Sequence, residues 1–203
     1  PEILTDCPLP DGYQGALYHI VFLKAVKGKK EYSWSVSPRT PAPTLGANEF
    51  NRFPDGLKLS KAGAISGTPD VPGKFFFRLT VTDANGLSVE KDCSITIIPA
   101  PSIPDTEFPT CWTANKSIDQ FCLTAKDGKP GYTWTIVGQS LPKDLVIDKN
   151  TGCITGVCKQ GGNFSVIVKV TDKNGVVAQK AFSFRVYDEL KITSDCPLVL
   201  STN

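Results

Sequence analysis

The sequence contains no methionine and one histidine, and its charges nearly cancel, because 22 Lys and Arg residues face 20 Asp and Glu residues. This balance lacks the basic excess that is typical of nucleic-acid-binding proteins. No apolar run reaches the length of about 18 residues that a membrane-spanning helix needs. A secretory leader is not recognisable, and the chain begins at Pro1. We therefore expect a processed, exported product.

The motifs of common enzymes and metal sites are also missing. The single histidine, His19, has no serine or cysteine partner in a strand-turn-helix context, and no glycine-rich phosphate-binding loop occurs. None of the seven cysteines forms a C-x-x-C pair, so a Cys/His zinc set cannot be completed. The sequence predicts a protein that is not an enzyme and holds no metal or cofactor. A hydrolase whose carboxylates do not stand out is the weakest alternative.

An internal repeat dominates what is present. Residues 53–86 align with residues 141–175, and the motif around Trp34 aligns with the motif around Trp134. A repeat of this length indicates two copies of one structural unit. Only the first copy carries an insertion, within residues 37–52.

A shorter match occurs at the two ends of the sequence. Residues 3–9, ILTDCPL, resemble residues 192–198, ITSDCPL. We therefore predict units at residues 1–99 and 100–189. Residues 190–203 are predicted to be either the first strand of a third unit or a strand donated to a neighbouring subunit.

The periodicity of the sequence favours strands over helices. Residues 165–171 alternate between polar and apolar side chains, and Asn-Gly turns follow the strands that end near Thr82 and Thr171. No segment of ten residues shows helical periodicity, and 16 Pro and 17 Gly residues separate short strands. The pattern predicts an all-β fold of two tandem immunoglobulin-like Greek-key sandwiches, with Trp34 and Trp134 between the sheets.

The combined motifs resemble the bacterial "putative Ig" domains that are related to cadherin-like and dystroglycan-type modules. The turn I-S-G-T-P stands at residues 65–69, and its counterpart at residues 154–158 reads I-T-G-V-C. The resemblance implies an immunoglobulin-like fold in both units and a role as a spacer, an adhesive stalk or an appendage of an enzyme. Some relatives bind calcium between domains, but the acidic linker motifs are not evident. Asp83 and Asp172 are therefore interpreted as turn residues.

Comparison of the two copies predicts disulfide bonds. Cys7 aligns with Glu107 and Cys93 aligns with Phe182, so the second copy lacks both cysteines together. This joint absence indicates a Cys7–Cys93 bond. Reduced, buried thiols are the alternative for all the cysteines.

The other cysteines are assigned with less support from the alignment. Cys153 and Cys158 are close enough in sequence to close a short loop, and Cys111 and Cys122 are predicted to join neighbouring strands. Cys196 is left over. It is predicted to bond either within a further unit or to another subunit.

Features that differ between the copies are candidates for binding. Insertions between strands often carry recognition, although this one is equally well explained as a surface excursion or an interdomain buttress. Trp112 has no aromatic counterpart in the first copy, and two sequons make Asn115 and Asn163 possible glycosylation sites. The predicted binding residues are Trp112 and, in the insertion, Arg39, Asn48, Phe50, Asn51 and Arg52.

Two functions fit these features. The first is a structural or adhesive module of an extracellular, disulfide-stabilised stalk, adhesin or filament, whose partners are neighbouring domains or identical subunits. The second is an accessory module of a secreted enzyme that binds a cell-surface glycan or protein.

Overall fold

The computed structural model describes residues 1–106, 112–138 and 140–189. All regular elements within these residues are β-strands. The chain divides into two compact units, of which one contains Pro1–Pro104 and the other most of the remaining chain. In the described part of the chain, no helix is long and apolar enough to cross a membrane.

The first repeat forms two main sheets. Its ten strands are β1 (Glu2–Ile3), β2 (Gly12–Tyr13), β3 (Val21–Phe22), β4 (Ala25–Val26), β5 (Ser33–Ser37), β6 (Glu49–Phe50), β7 (Leu57–Leu59), β8 (Ala64–Gly67), β9 (Gly73–Thr82) and β10 (Ser88–Ile98). One sheet has the order β2-β10-β9-β5, with β6 also paired to β9, and the other has the order β3-β8-β7. Strands β1 and β4 form a separate antiparallel pair.

The core of the first repeat lies between these sheets. Alternate residues of β9, from Phe75 to Val81, are fully buried, as the period of two requires. They belong to one apolar cluster with Ile65 of β8, Leu57 of β7 and the buried Trp34 of β5. The predicted sandwich with a central tryptophan is confirmed.

The described residues of the second repeat form seven strands in two sheets of similar order. They are β11 (Trp112–Thr113), β12 (Phe121–Cys122), β13 (Thr133–Val137), β14 (Leu145–Ile147), β15 (Cys153–Gly156), β16 (Gly162–Thr171) and β17 (Val177–Tyr187). The sheets have the orders β11-β17-β16-β13 and β12-β15-β14. Trp134 is buried, as is its counterpart in the first repeat.

Each tryptophan packs on a glycine in a turn that joins two strands of the opposite sheet. A Cβ atom on Gly63 would lie 2.8 Å from the Trp34 ring, and one on Gly152 would lie 2.8 Å from the Trp134 ring. Both glycines also have positive φ angles, of 88° and 71°. The repeat therefore preserves these glycines for their small size and their backbone conformation.

The predicted bond between Cys7 and Cys93 is present, with 5.2 Å between the Cα atoms. It joins the segment before β2 to β10 in the first repeat.

The second disulfide corrects two predicted pairings. Cys122 is bonded to Cys153, not to Cys111, and Cys153 is therefore not bonded to Cys158. Cys122 and Cys153 lie directly opposite each other on β12 and β15, with 3.9 Å between their Cα atoms. Extended chain separates Cys153 from Cys158 by about 16 Å, which is beyond the reach of a disulfide. Cys158 is buried, and its thiol donates to the Gln160 carbonyl at 3.3 Å.

Cys111 and Cys196 lie outside the described residues, as does the whole of the predicted segment 190–203.

We predict that Gly63→Ala destabilises the first repeat by about 2–4 kcal/mol, because the new methyl group meets the Trp34 ring and the backbone has a positive φ angle. Gly86→Ala is the matched control. Gly86 also has a positive φ angle, of 80°, but a Cβ atom added there would have nothing within 4 Å. This control should cost about 1 kcal/mol. Urea denaturation of both variants gives the comparison, and equal losses would show that the tryptophan contact is not tight.

Candidate binding surface

The insertion of residues 37–52 is closed at its base by two hydrogen bonds. The Arg39 amide donates to Asn51 Oδ1 at 2.9 Å, and Asn51 Nδ2 donates to the Arg39 carbonyl at 3.1 Å. A loop of this length with its ends held together is a compact Ω-type loop. The amide of Asn51, a predicted binding residue, is therefore engaged in holding the loop.

The end of the insertion becomes part of the sheet. Strand β6 pairs with β9 in parallel, so that Phe50 lies opposite Phe75. The two rings stack with 4.8 Å between their centroids and an angle of 24°. Phe50 is thus half-buried against the core, and its predicted contact with a ligand stays a prediction.

Arg39 connects the insertion to the outer face of the larger sheet. Its Nε lies 3.1 Å from Asp92 Oδ2, while Arg78 Nε donates to Asp92 Oδ1 at 2.7 Å. Arg78 Nη1 also lies 3.2 Å from Glu90 Oε2. These four side chains, Arg39, Arg78, Glu90 and Asp92, are called the outer-face ion network.

The network changes the protonation equilibria of two of its members. The hydrogen bond from Arg78 holds the pKa of Asp92 below its ordinary value; partial burial opposes this effect, and the charge of Arg39 adds to it. The same hydrogen bond raises the pKa of Arg78. Both groups at the centre of the network are therefore charged at neutral pH.

Cations flank the aromatic rings of this surface. The Arg39 guanidinium lies 5.8 Å from the Phe76 ring centroid, and Lys74 Nζ lies 5.0 Å from the same centroid. Arg52 lies over Phe50 at 5.2 Å and forms an ion pair with Asp55 at 2.7 Å. Both arginines that were predicted to bind a ligand have intramolecular partners.

The tip of the insertion is the part that is open to solvent. Residues 40–48 are exposed apart from Pro43, which is half-buried, and Leu45 exposes 43% of its surface. The predicted binding residue Asn48 belongs to this tip, and its carbonyl accepts from the Lys74 amide at 2.9 Å. A groove of about 400 Å³ runs beside it, lined in part by Glu49, Lys74 and Thr96.

The other predicted sites belong to the second repeat. The side chain of Trp112 lies outside the described residues. Asn115 and Asn163, the possible glycosylation sites, are both exposed.

Asp83 and Asp172 are turn residues, as predicted. Asp83 Oδ1 accepts from the amides of Asn85 and Leu87, and its Oδ2 accepts from the Lys29 amide. Burial raises the pKa of Asp83, but these backbone donors outweigh it and leave the pKa lowered. Asp172 makes the equivalent bonds with the amides of Asn174, Val176 and Lys129. Across the described ranges, no group of three or more His, Cys, Asp or Glu residues is placed to hold a metal ion.

Sequence reasoning missed most of the outer-face ion network. A signal was available, because the aligned residues of the second copy are uncharged: Ile167 replaces Arg78, Gln179 replaces Glu90 and Ala181 replaces Asp92. The network and the insertion thus occur together in the first repeat.

A family model identifies both repeats. Residues 14–98 and 107–187 match the family described as "Putative Ig domain". These two matches cover most of the chain, so the chain belongs to this family. A comparison with proteins of curated function gives no match.

Solved structures give weaker likenesses. A protein of Bacteroides fragilis described as a "putative alpha-galactosidase" is 24% identical over 43% of this chain and 17% of its own, with a TM-score of 0.35. Extracellular domains 3–5 of Drosophila OTK are 13% identical over 94% of this chain and 61% of their own (TM-score 0.38). A C-terminal intimin fragment, solved with the intimin-binding domain of its receptor Tir, is 19% identical over 79% and 55% (TM-score 0.39). The chain spans less than two thirds of each of these structures, and the family assignment rests on the sequence match.

We predict that Asp92→Asn lowers the free energy of unfolding by about 0.5–1 kcal/mol at pH 7 and low salt, since the Asp92 side chain is 35% exposed and solvent screens its ion pairs. The pKa of Asp92 is lower in the folded protein than in the unfolded chain. The advantage of the wild type is therefore full above about pH 4 and is lost as the pH falls through the folded pKa. Urea titrations at pH 7 and pH 2.5 measure the difference. Glu90→Gln, at a more exposed position, should cost less, and a deficit of Asp92→Asn that persists at pH 2.5 would refute the ionic origin.

Proposed function

We propose that this chain is a non-catalytic structural or adhesive segment of an extracellular stalk, adhesin or filament, built from modules at residues 1–99 and 100–189. The observation that carries the proposal is the placement of the disulfides. The Cys7–Cys93 bond closes a loop with a sequence separation of 86 residues, which includes almost the whole first repeat. Disulfides of this kind form in oxidising, extracytoplasmic compartments, which supports export of the chain.

The disulfides would limit how far each module extends under load. Tension on the chain passes through the Cys7–Cys93 bond, so the residues between these cysteines are shielded from it. In the second repeat, the Cys122–Cys153 bond shields a loop with a separation of 31 residues. In the chain-entropy model, loops of these lengths stabilise the fold by roughly 4–5 and 3.5–4 kcal/mol, respectively.

The absence of a recognisable set of catalytic residues supports a non-catalytic role. In the parts of the chain that the structure covers, the carboxylates with shifted pKa values have structural partners. Asp83 and Asp148 accept backbone hydrogen bonds, and Asp92 pairs with arginines. The family to which the chain belongs supplies modules of this type in both repeats. The partners that we propose are neighbouring domains or further copies of the chain.

A second candidate function is a binding module attached to a secreted enzyme. The observation that favours it is the insertion itself, which presents an exposed tip on a base held by Arg39 and Asn51. A rigid base with a variable, solvent-exposed tip is the usual arrangement of recognition loops. The ligand would be a glycan or protein of a cell surface.

Single-molecule stretching tests the mechanical role. We predict that reduction lengthens the fully extended chain by about 300 Å for the first repeat and about 110 Å for the second, because each shielded loop then unfolds at 3.3–3.6 Å per residue. The double variant Cys7→Ser/Cys93→Ser is the control and should show the 300 Å gain without reduction. If the oxidised wild type already extends to the full length of the chain, the disulfides bear no load and the proposal fails.

Replacement of Pro41–Ala47 by a glycine-serine linker of equal length separates the two candidate functions. The linker leaves β6, Arg39 and Asn51 in place, so stability should change by less than about 0.5 kcal/mol. We expect unchanged binding to cells and to a glycan array if the chain is a structural module. A loss of about tenfold or more would favour the binding module. Asn51→Ala, which loosens the base but keeps the tip, is the control.

A further inference from the structure

Residues 3–9 fill a defined place in the first repeat. Their backbone is bound at both ends, because the Leu4 amide donates to the Lys24 carbonyl and the Leu9 amide donates to the Ser94 carbonyl, each at 2.8 Å. Between these contacts, Lys91 Nζ donates to the Thr5 carbonyl at 2.7 Å. The surface that residues 3–9 cover, between β4 and β10, is called the strand slot.

The side chains of this segment alternate between the slot and solvent. Ile3 and Leu9 are buried in the core, with 8% and 2% of their surface exposed. Cys7 faces the same way and is bonded to Cys93, while the hydroxyl of Thr5 accepts from the Lys24 amide at 2.7 Å. The intervening Leu4, Asp6 and Pro8 are exposed.

Residues 192–198 preserve the slot-facing pattern. Ile192, Ser194, Cys196 and Leu198 correspond to Ile3, Thr5, Cys7 and Leu9, so each slot-facing position keeps its residue or its hydroxyl group. The one marked change, from Leu4 to Thr193, falls on a position that is 49% exposed in the first repeat. A solvent-facing position does not require an apolar residue, so threonine can replace leucine there.

The second repeat does not have the same slot. At the positions of Cys7, Leu9 and Cys93 it has Glu107, Pro109 and Phe182. The segment 192–198 therefore matches the slot of the first repeat and not that of the repeat that precedes it.

We propose that residues 192–198 of one molecule occupy the strand slot of a second copy, where Cys196 replaces Cys7 as the disulfide partner of Cys93. This deepens the proposed function by naming the contact that would link copies head to tail. Exchange of an identical element between molecules is a low-cost route to assembly. The resident segment is tethered beside its slot, so exchange is favoured where copies are crowded, as they are in a stalk or filament.

The covalent step is a thiol–disulfide exchange. The Cys196 thiol loses its proton, and the thiolate attacks Cys93 Sγ. A Cys196–Cys93 bond forms, the Cys7–Cys93 bond breaks, and Cys7 leaves as a thiolate that takes up a proton. Because Cys93 is buried, the residues beside Cys7 must detach from the slot before the attack, and Cys7 itself leaves only when its bond to Cys93 breaks.

The full-length variant Cys7→Ser tests the proposal, because it removes the competing bond. It is incubated with oxidised glutathione, which takes up the two electrons and two protons that the Cys93 and Cys196 thiols release. We predict covalent multimers on non-reducing electrophoresis, and a linked peptide pair containing Cys93 and Cys196 by mass spectrometry after digestion without reduction. Monomers alone, or Cys93 linked to a different cysteine, would overturn the proposal.

Two further substitutions in the Cys7→Ser background separate docking from chance collision of thiols. Leu198→Asp keeps both thiols but places a carboxylate where Leu9 is buried. The Cys93–Cys196 bond should therefore form at least about tenfold more slowly. Leu200→Asp, outside the matched segment, should have no effect. Equal rates for all three proteins would refute docking.

Loss of folding is detected separately. If Cys7→Ser loses its β-sheet circular dichroism signal, the wild type in a glutathione redox buffer is used, and the same linked peptides and the same effect of Leu198→Asp are expected. The stretching experiment uses single, unassembled molecules of the wild type and of the double variant. Its outcome is therefore independent of this one, and the two proposals fail separately.

Discussion

The contact between a tryptophan ring and a glycine backbone holds the two sheets of each repeat together. Trp34 lies on β5 of the larger sheet, and its amide donates to the Lys61 carbonyl in the turn between β7 and β8 of the other sheet, at 2.9 Å. The equivalent bond runs from Trp134 to the Lys149 carbonyl at 2.8 Å. A backbone hydrogen bond and a ring packed on glycine thus join the sheets at one point. Side chains larger than hydrogen are excluded there, which fixes the spacing that the other core residues fill.

The same backbone framework carries different chemistry in its two copies. Phe22 and Ala64 are opposite each other on β3 and β8, at the place where the second repeat has the Cys122–Cys153 disulfide. On the outer face, the arginine and aspartate of the first repeat are replaced by Ile167 and Ala181. Cys153 is buried, but its partner Cys122 and the replaced residues of the outer face are not, so the differences mainly alter surface properties and cross-links.

Comparison of the two copies predicted correctly those features that depend on local pattern or on residues that are lost together. The buried tryptophans and the turn role of Asp83 follow from local pattern, and the Cys7–Cys93 bond follows from the joint loss of both residues in the other copy. It failed where the answer depends on the pairing of distant strands. Cys122 and Cys153 are 31 positions apart, and they meet only because of the register of β12 against β15. Alternation along a strand gives the face of a residue but not its neighbour across the sheet.

The outer-face ion network also depends on contacts that the sequence pattern does not reveal. Arg78 and Asp92 are directly opposite on β9 and β10, but Arg39 reaches them from an insertion whose path no periodic pattern describes. That path depends on two side-chain hydrogen bonds of Asn51 and on the stacking of Phe50. Each of these contacts is tertiary, so the loop could be recognised as an insertion from the sequence while its anchoring could not.

The two disulfides constrain different parts of their repeats. Cys122–Cys153 joins adjacent strands within one sheet, and it would remain intact if the first segment of that repeat were removed. Cys7–Cys93 instead fastens the first segment of its repeat to β10. The strand in this segment, β1, pairs with β4 over only two residues. Such a segment buries few residues by itself, so its attachment depends strongly on the covalent bond. Strand β9, by contrast, pairs with β10 along its whole length, so the first segment has far fewer backbone hydrogen bonds to lose than the centre of the larger sheet.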